Sequence, residues 1–160
     1  LPRMIEYTFP VSTDRKDRFI AGPSMGGYGA SKCALTYPER YGAFGDFSGA
    51  VDPETLEPLM NQMGFGFFRY DLIFGGSDKV TGSKDDPLVL AEACRELQQK
   101  PFAFVTCGEE DTNNYRMNRK FYEKPKDCGF ETQFYGNHGL HDWIYWDICI
   151  KLFIEKLKEI

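Results

Sequence analysis

Ser24 sits at the centre of Gly22-Pro23-Ser24-Met25-Gly26, a G-x-S-x-G pentapeptide. The motif follows the apolar run Phe19-Ile20-Ala21 and opens onto the helix-forming residues Ala30 to Leu35. A serine at the tip of a sharp strand-to-helix turn occupies strained backbone, so small neighbours such as Gly22 and Gly26 let the chain pass. Such an elbow lifts the hydroxyl clear of the sheet and aims the next amide, that of Met25, at a developing oxyanion. A helix N-terminus behind the serine favours negative charge further. The implied chemistry is nucleophilic attack by Ser24 on a carbonyl carbon. The run lacks the Gly-Lys-Ser/Thr ending of a phosphate-binding loop and contains no G-x-G-x-x-G, which removes both nucleotide-cradle readings.

A serine nucleophile needs a base within hydrogen-bond reach and an acid that orients the base. The chain holds only two histidines, His138 and His141, in the stretch before the last predicted helix. An H-x-x-H pair can bind zinc, but no nearby Cys or carboxylate completes a ligand set, so no metal is expected, and acyl transfer through a serine needs no organic cofactor. The acid should fall between the serine and the histidine, as in other elbow-bearing triads. Cys107-Gly108-Glu109-Glu110-Asp111 follows an apolar strand and offers three adjacent carboxylates, which spacing alone does not rank. Asp111 also suits the cap of the helix that follows. Asp142 adjoins His141 in sequence and is badly placed to brace its ring.

Tyr28-Gly29-Ala30-Ser31-Lys32 supplies a rival chemistry, the Y-x-x-x-K pair of short-chain dehydrogenases. One helical turn brings Lys32 beside Tyr28, where its charge would lower the phenol's pKa and serve a nicotinamide-dependent oxidoreductase. Against it, Tyr28 lies at the very start of its helix, and Tyr37-Pro38-Glu39-Arg40-Tyr41-Gly42 does not resemble that family's cofactor loop.

These residues must be carried by a scaffold, and the pattern is α/β: apolar runs alternate with helical periodicity, the signature of a parallel sheet flanked by helices. Strands are expected near 18–22, 43–48, 102–107 and 130–136, with helices near 26–37, 87–99, 113–127 and 141–158. Leu90, Ala93, Cys94 and Leu97 mark one face of the second helix. Trp143, Trp146, Ile150, Phe153, Leu157 and Ile160 mark a core stripe on the last. Pro125 is expected to end or kink the third helix early, with Gly129 as its stop. Between the second and third strands, 49–86 reads as a long irregular segment, lid or pocket wall, with Met60, Met63, Phe65, Phe67, Phe68, Tyr70, Leu72 and Phe74 among glycines. Leu1 to Phe9 reads as the end of a helix already under way.

The 160 residues fit one domain, 1–160, and the formal net charge of -5 without a basic run argues against nucleic acid or an anionic membrane as partner. Cys33, Cys94, Cys107, Cys128 and Cys149 are scattered, which points to reduced thiols and a cytoplasmic setting rather than a disulfide framework.

Leu1-Pro2-Arg3 through Ala30, Tyr37-Pro38-Glu39-Arg40-Tyr41-Gly42 and Ser48-Gly49-Ala50-Val51-Asp52 together resemble the esterase D branch of the α/β-hydrolases. That branch includes tributyrin-type and feruloyl esterases and S-formylglutathione hydrolases. Cys107 to Asp111 resembles its acid loop, and His141-Asp142-Trp143 with Trp146 its histidine loop. The resemblance implies Ser24 as nucleophile, Asp111 as acid, His141 as base and the Met25 amide as one oxyanion donor. It also implies a cofactor-free serine carboxylesterase acting on small acyl or aryl esters, with a hydrolase-like module lacking catalysis as the alternative. Pro23, Asn137-His138-Gly139-Leu140, Thr112-Asn113-Asn114 and Pro125 depart from the family pattern. The family's domain begins upstream of the elbow strand, with earlier strands and the loop carrying a second oxyanion amide. Losing one such donor costs about a hundredfold or more in rate, so these residues by themselves are expected to be weakly active or inactive. The elbow strand would be a bare sheet edge, covered by a missing N-terminal segment or by a second copy in a homo-oligomer.

Overall fold

A computed structural model describes residues 2–62, 64 and 69–160. Met63, Phe65, Phe67 and Phe68, part of the aromatic stretch singled out above, lie outside the described residues, as does Leu1. Four strands, β1 (Phe19–Pro23), β2 (Ala43–Phe47), β3 (Phe102–Gly108) and β4 (Thr132–Asn137), form one sheet in that order. Every neighbouring pair is parallel, with Phe19 opposite Ala43, Ala43 opposite Phe102 and Ala103 opposite Thr132. All four strands therefore end on one edge, where the serine, the carboxylates and the histidines lie. Every residue of β2 and of β3 is buried, as expected of central strands in a sheet covered on both faces. Among the described residues β1 pairs only with β2, so its outer side is an open edge.

Helices α2 (Met25–Thr36), α5 (Pro87–Ala93) and α6 (Thr112–Asp127) cover one face, over a core of Leu35, Phe44, Val105, Met117, Phe121 and Phe130. Helix α7 (Trp143–Lys156) covers the other, over Phe47, Phe104, Trp146, Cys149 and Phe153. There the Phe153 ring sits 5.9 Å from that of Phe47 and 5.5 Å from that of Phe104. The first helix, α1 (Pro2–Thr8), contributes no buried residue.

Four expectations need correction. The segment 49–86 is not irregular throughout, because it contains α3 (Pro53–Gln62) and α4 (Tyr70–Phe74). Asp52 starts α3: its carboxylate accepts from the Thr55 N–H and hydroxyl, and Pro53 brings a φ suited to a first turn. Helix α6 runs through Pro125 to Asp127. A proline so near the end removes a single N–H from the ladder, while Cys128 N–H still reaches Lys124 O and Gly129, at φ 77°, ends the helix. Helix α5 stops at Ala93, so Leu97 is exposed, Ala93 turns outward and Ala91 with Cys94 forms the buried contact. On α7 the buried set is Tyr145, Trp146, Cys149 and Phe153, whereas Trp143 is 75 % exposed, Ile150 faces outward and Ile160 lies exposed beyond the helix end. That helix is apolar nearly all round, so periodicity alone left its inward face open by about a quarter turn.

Candidate active site

Ser24 occupies the N-cap of α2 with φ 55° and ψ -120°, a conformation costly for any residue with a side chain. Four backbone bonds hold it there. Its N–H donates to Phe47 O at 2.9 Å, and its carbonyl accepts from Gly27 N–H at 3.0 Å, Tyr28 N–H at 3.2 Å and Ala50 N–H at 3.1 Å. Met25 is the first residue of α2, where a backbone N–H has no intrahelical acceptor. The steric demand for glycine falls on Gly22 and Gly27 rather than on Gly22 and Gly26. A Cβ on Gly22 would lie 2.7 Å from Gly26 C, and one on Gly27 would lie 2.2 Å from Asp46 Oδ1. A Cβ on Gly26 would meet nothing nearer than Pro23 Cδ at 3.4 Å.

His141, in the loop between β4 and α7, places Nε2 3.0 Å from Ser24 Oγ and Nδ1 2.6 Å from Asp111 Oδ2. Asp111 is the N-cap residue of α6, but its side chain makes no capping bond; the carboxylate turns toward the imidazole instead. The Asn114 amide, one turn along α6, donates to both Asp111 oxygens at 2.8 and 3.0 Å. Trp146 meets the His141 ring edge-on at 4.9 Å between centroids, and its indole N–H reaches Ser48 Oγ at 3.3 Å. With Asp111 accepting at Nδ1–H, Nε2 is left as the acceptor facing the serine hydroxyl.

The neighbouring candidates have other partners. His138 is highly exposed, and its Nδ1 lies 2.8 Å from Glu110 Oε1, which raises its pKa. Glu110 also accepts from Gly139 N–H at 2.5 Å, and these bonds hold its carboxyl below the ordinary range. Glu110 thus ties the acid loop to the histidine loop. The two loops touch closely enough that a Cβ on Gly108 would fall 2.1 Å from Gly139 O. Asp142 caps α7, accepting from Tyr145 N–H at 3.0 Å. The Tyr28 hydroxyl donates to Asp85 O at 2.7 Å, and Lys32 is ion-paired to the Asp85 carboxylate. Burial pushes the Tyr28 phenol pKa up, opposite to what a tyrosine base requires. Val51, Thr55 and Val80 from 49–86 border a cavity of about 240 Å³ with Leu88, Met117 and Phe121, and no member of the Ser24 row lines it.

Sequence reasoning missed Asn114, Asn118 and Asp46. Asn118 is fully buried on α6, and Asp46 is fully buried in β2 with neither carboxylate oxygen hydrogen-bonded. For the asparagines a signal existed: amides four apart on a helix, on the side that also carries Met117 and Phe121 toward the core. Asp46 gave none.

A family model described as "Putative esterase" matches residues 1–159. The chain belongs to that esterase family. It is 26% identical to an acetyl esterase of Caldicellulosiruptor saccharolyticus, over 98% of this chain and 61% of that protein. It is 31% identical to an S-formylglutathione hydrolase of Paracoccus denitrificans, over 56% of this chain and 29% of that protein. Among solved structures, the fluorophosphonate-binding serine hydrolase F of Staphylococcus aureus superposes with a TM-score of 0.84 at 32% identity, covering 98% of this chain and 60% of the other. The esterase D-like assignment and the α/β-hydrolase-like fold both stand on these matches. The chain spans about three fifths of the length of the acetyl esterase and of the S. aureus hydrolase.

Proposed function

We propose that the protein is a serine carboxylesterase in which Ser24, His141 and Asp111 are the catalytic triad. The observation that carries the reading is the hydrogen-bonded row from Ser24 Oγ through His141 to Asp111, at a helix N-terminus and on a strained elbow. His141 Nε2 takes the hydroxyl proton as Oγ attacks the ester carbonyl, and the imidazolium formed donates from Nδ1 to Asp111. The Met25 N–H faces the tetrahedral oxyanion. His141 then returns its proton to the leaving alcohol, and water releases the acid by the reverse sequence. Small acyl or aryl esters are the proposed substrates, in line with the acetyl esterase and S-formylglutathione hydrolase relatives. Five free cysteines support a cytoplasmic setting. No helix among the described residues is long and apolar enough to cross a membrane.

The test is fluorophosphonate labelling of the full-length protein with peptide mapping, beside hydrolysis of p-nitrophenyl acetate. Label on Ser24 that disappears in Ser24→Ala, with hydrolysis lost in His141→Gln, is the expected result. An unlabelled Ser24 in the folded protein would instead make this a hydrolase-like module without catalysis.

A further inference from the structure

We infer that Asn118 is a positioning residue that locks the acid end of the triad to the nucleophile end, acting through Asn114. The inference rests on the triad reading above. Its basis is a closed circuit of hydrogen bonds. Ser24 O accepts from Ala50 N–H at 3.1 Å, and the adjacent Gly49 is gripped at both of its backbone groups by Asn118. Gly49 N–H donates to Asn118 Oδ1 at 3.1 Å, and Asn118 Nδ2 donates to Gly49 O at 3.0 Å. The same Nδ2 donates to Asn114 O at 2.8 Å. Asn114 Nδ2 in turn holds both oxygens of Asp111, which orients His141, which faces Ser24 Oγ. The circuit leaves from the backbone of the nucleophile and returns at its side chain.

The residue type follows from the circuit. Position 118 must accept once and donate twice while fully buried, which is the inventory of a primary amide. A carboxylate of the same shape would turn acceptors toward two carbonyls, and a leucine would strand the Gly49 N–H and C=O without partners. The helix spacing of four residues puts Asn114 and Asn118 on one side of α6. A shift of α6 relative to the loop after β2 would therefore move Asp111 and His141 against Ser24. A misplacement of about 1 Å between reacting groups costs on the order of a hundredfold in rate.

The test uses the full-length protein and compares Asn118→Asp, Asn114→Ala, the double variant and Phe130→Leu. Phe130 lies at the opposite end of the strands from Ser24, so Phe130→Leu is the control for lost stability without lost positioning. The rate of Ser24 labelling by a fluorophosphonate and the kcat and KM for p-nitrophenyl acetate are measured below each variant's melting temperature. Each asparagine variant is expected to lose tenfold to a hundredfold in labelling rate and in kcat with KM held, and Phe130→Leu neither. The double variant should be no slower than about the worse single one, because both cut the same circuit. Asn118→Ser, whose shorter side chain cannot bond both Gly49 groups at once, carries the test if Asn118→Asp does not fold. Labelling of Asn118→Asp within about twofold of wild type overturns the inference alone, whatever Asn114→Ala does, as do losses that multiply in the double variant. A wild-type protein whose Ser24 does not label removes the triad reading and the inference with it.

Discussion

Replacing Asp46 by asparagine should change how stability depends on pH, and the size of the change follows from where the carboxyl lies. Asp46 is fully buried in β2 opposite Gly22, and neither oxygen has a hydrogen-bond partner. It packs against Gly27 of α2 and Gly49 of the following loop, which offer only backbone; the Gly49 N–H donates to Asn118, and its nearness to the Asp46 carboxylate offsets only part of the cost of burial. From β3 the group that feels it is the Cys107 thiol, itself pushed up by burial and so neutral. Loss of hydration raises the Asp46 pKa from 3.8 to about 8. Below the unfolded value both states hold the proton. Between it and about 8, the folded state keeps a proton that the unfolded state has released, so stability falls by about 1.4 kcal/mol per pH unit. From pH 4 to pH 7 the loss sums to about 4 kcal/mol, and it levels off once the folded group ionises as well. Asp46→Asn keeps the shape and removes the titration. Its amide remains a buried polar group that costs about 1–3 kcal/mol if unpartnered, so the absolute gain is smaller than the slope implies. Urea melts followed by circular dichroism from pH 4 to pH 9 would give both curves. The variant's advantage over wild type should grow by about 4 kcal/mol between pH 4 and 7, then flatten above 8. A difference independent of pH across that window would refute the reasoning.

At the elbow, Gly27→Ala should destabilise the fold by about 1–3 kcal/mol, since its methyl would press on Asp46 and Gly49, whereas Gly26→Ala should be near neutral; thermal melts separate them. His138→Ala should leave fluorophosphonate labelling within about twofold of wild type, because His138 faces Glu110 and not Ser24. A large loss there would reassign the base. Tyr28→Phe should lower stability by about 1 kcal/mol through the lost bond to Asp85 O, with esterase activity unchanged.

The strands, the helices flanking the sheet and the elbow were legible because each depends on neighbours in sequence. A parallel sheet announces itself through alternating β and helical patterns, and the serine turn through the small residues it needs. Even there the steric demand shifted from Gly26 to Gly27, since what presses on the turn is Asp46, from the next strand. The inward face of α7 was not legible, because Trp143, Ile144, Ile148, Ile150 and Ile154 are apolar yet exposed. The start of α3 was legible in Asp52-Pro53, a capping carboxylate followed by a proline suited to a first helical turn.

The sequence by itself determined the short menu of chemistry to consider, since Ser24 with two histidines and one acid loop admits few reactions. Only the tertiary structure decided which carboxylate faces His141, because Glu109, Glu110 and Asp111 differ by where β4 and α6 bring their loops, not by type. It likewise decided the roles of Asn118 and Asp46. Their surroundings are backbone atoms distant along the chain, 69 residues away for the Gly49 clamp of Asn118, and a buried polar side chain takes its meaning from what surrounds it.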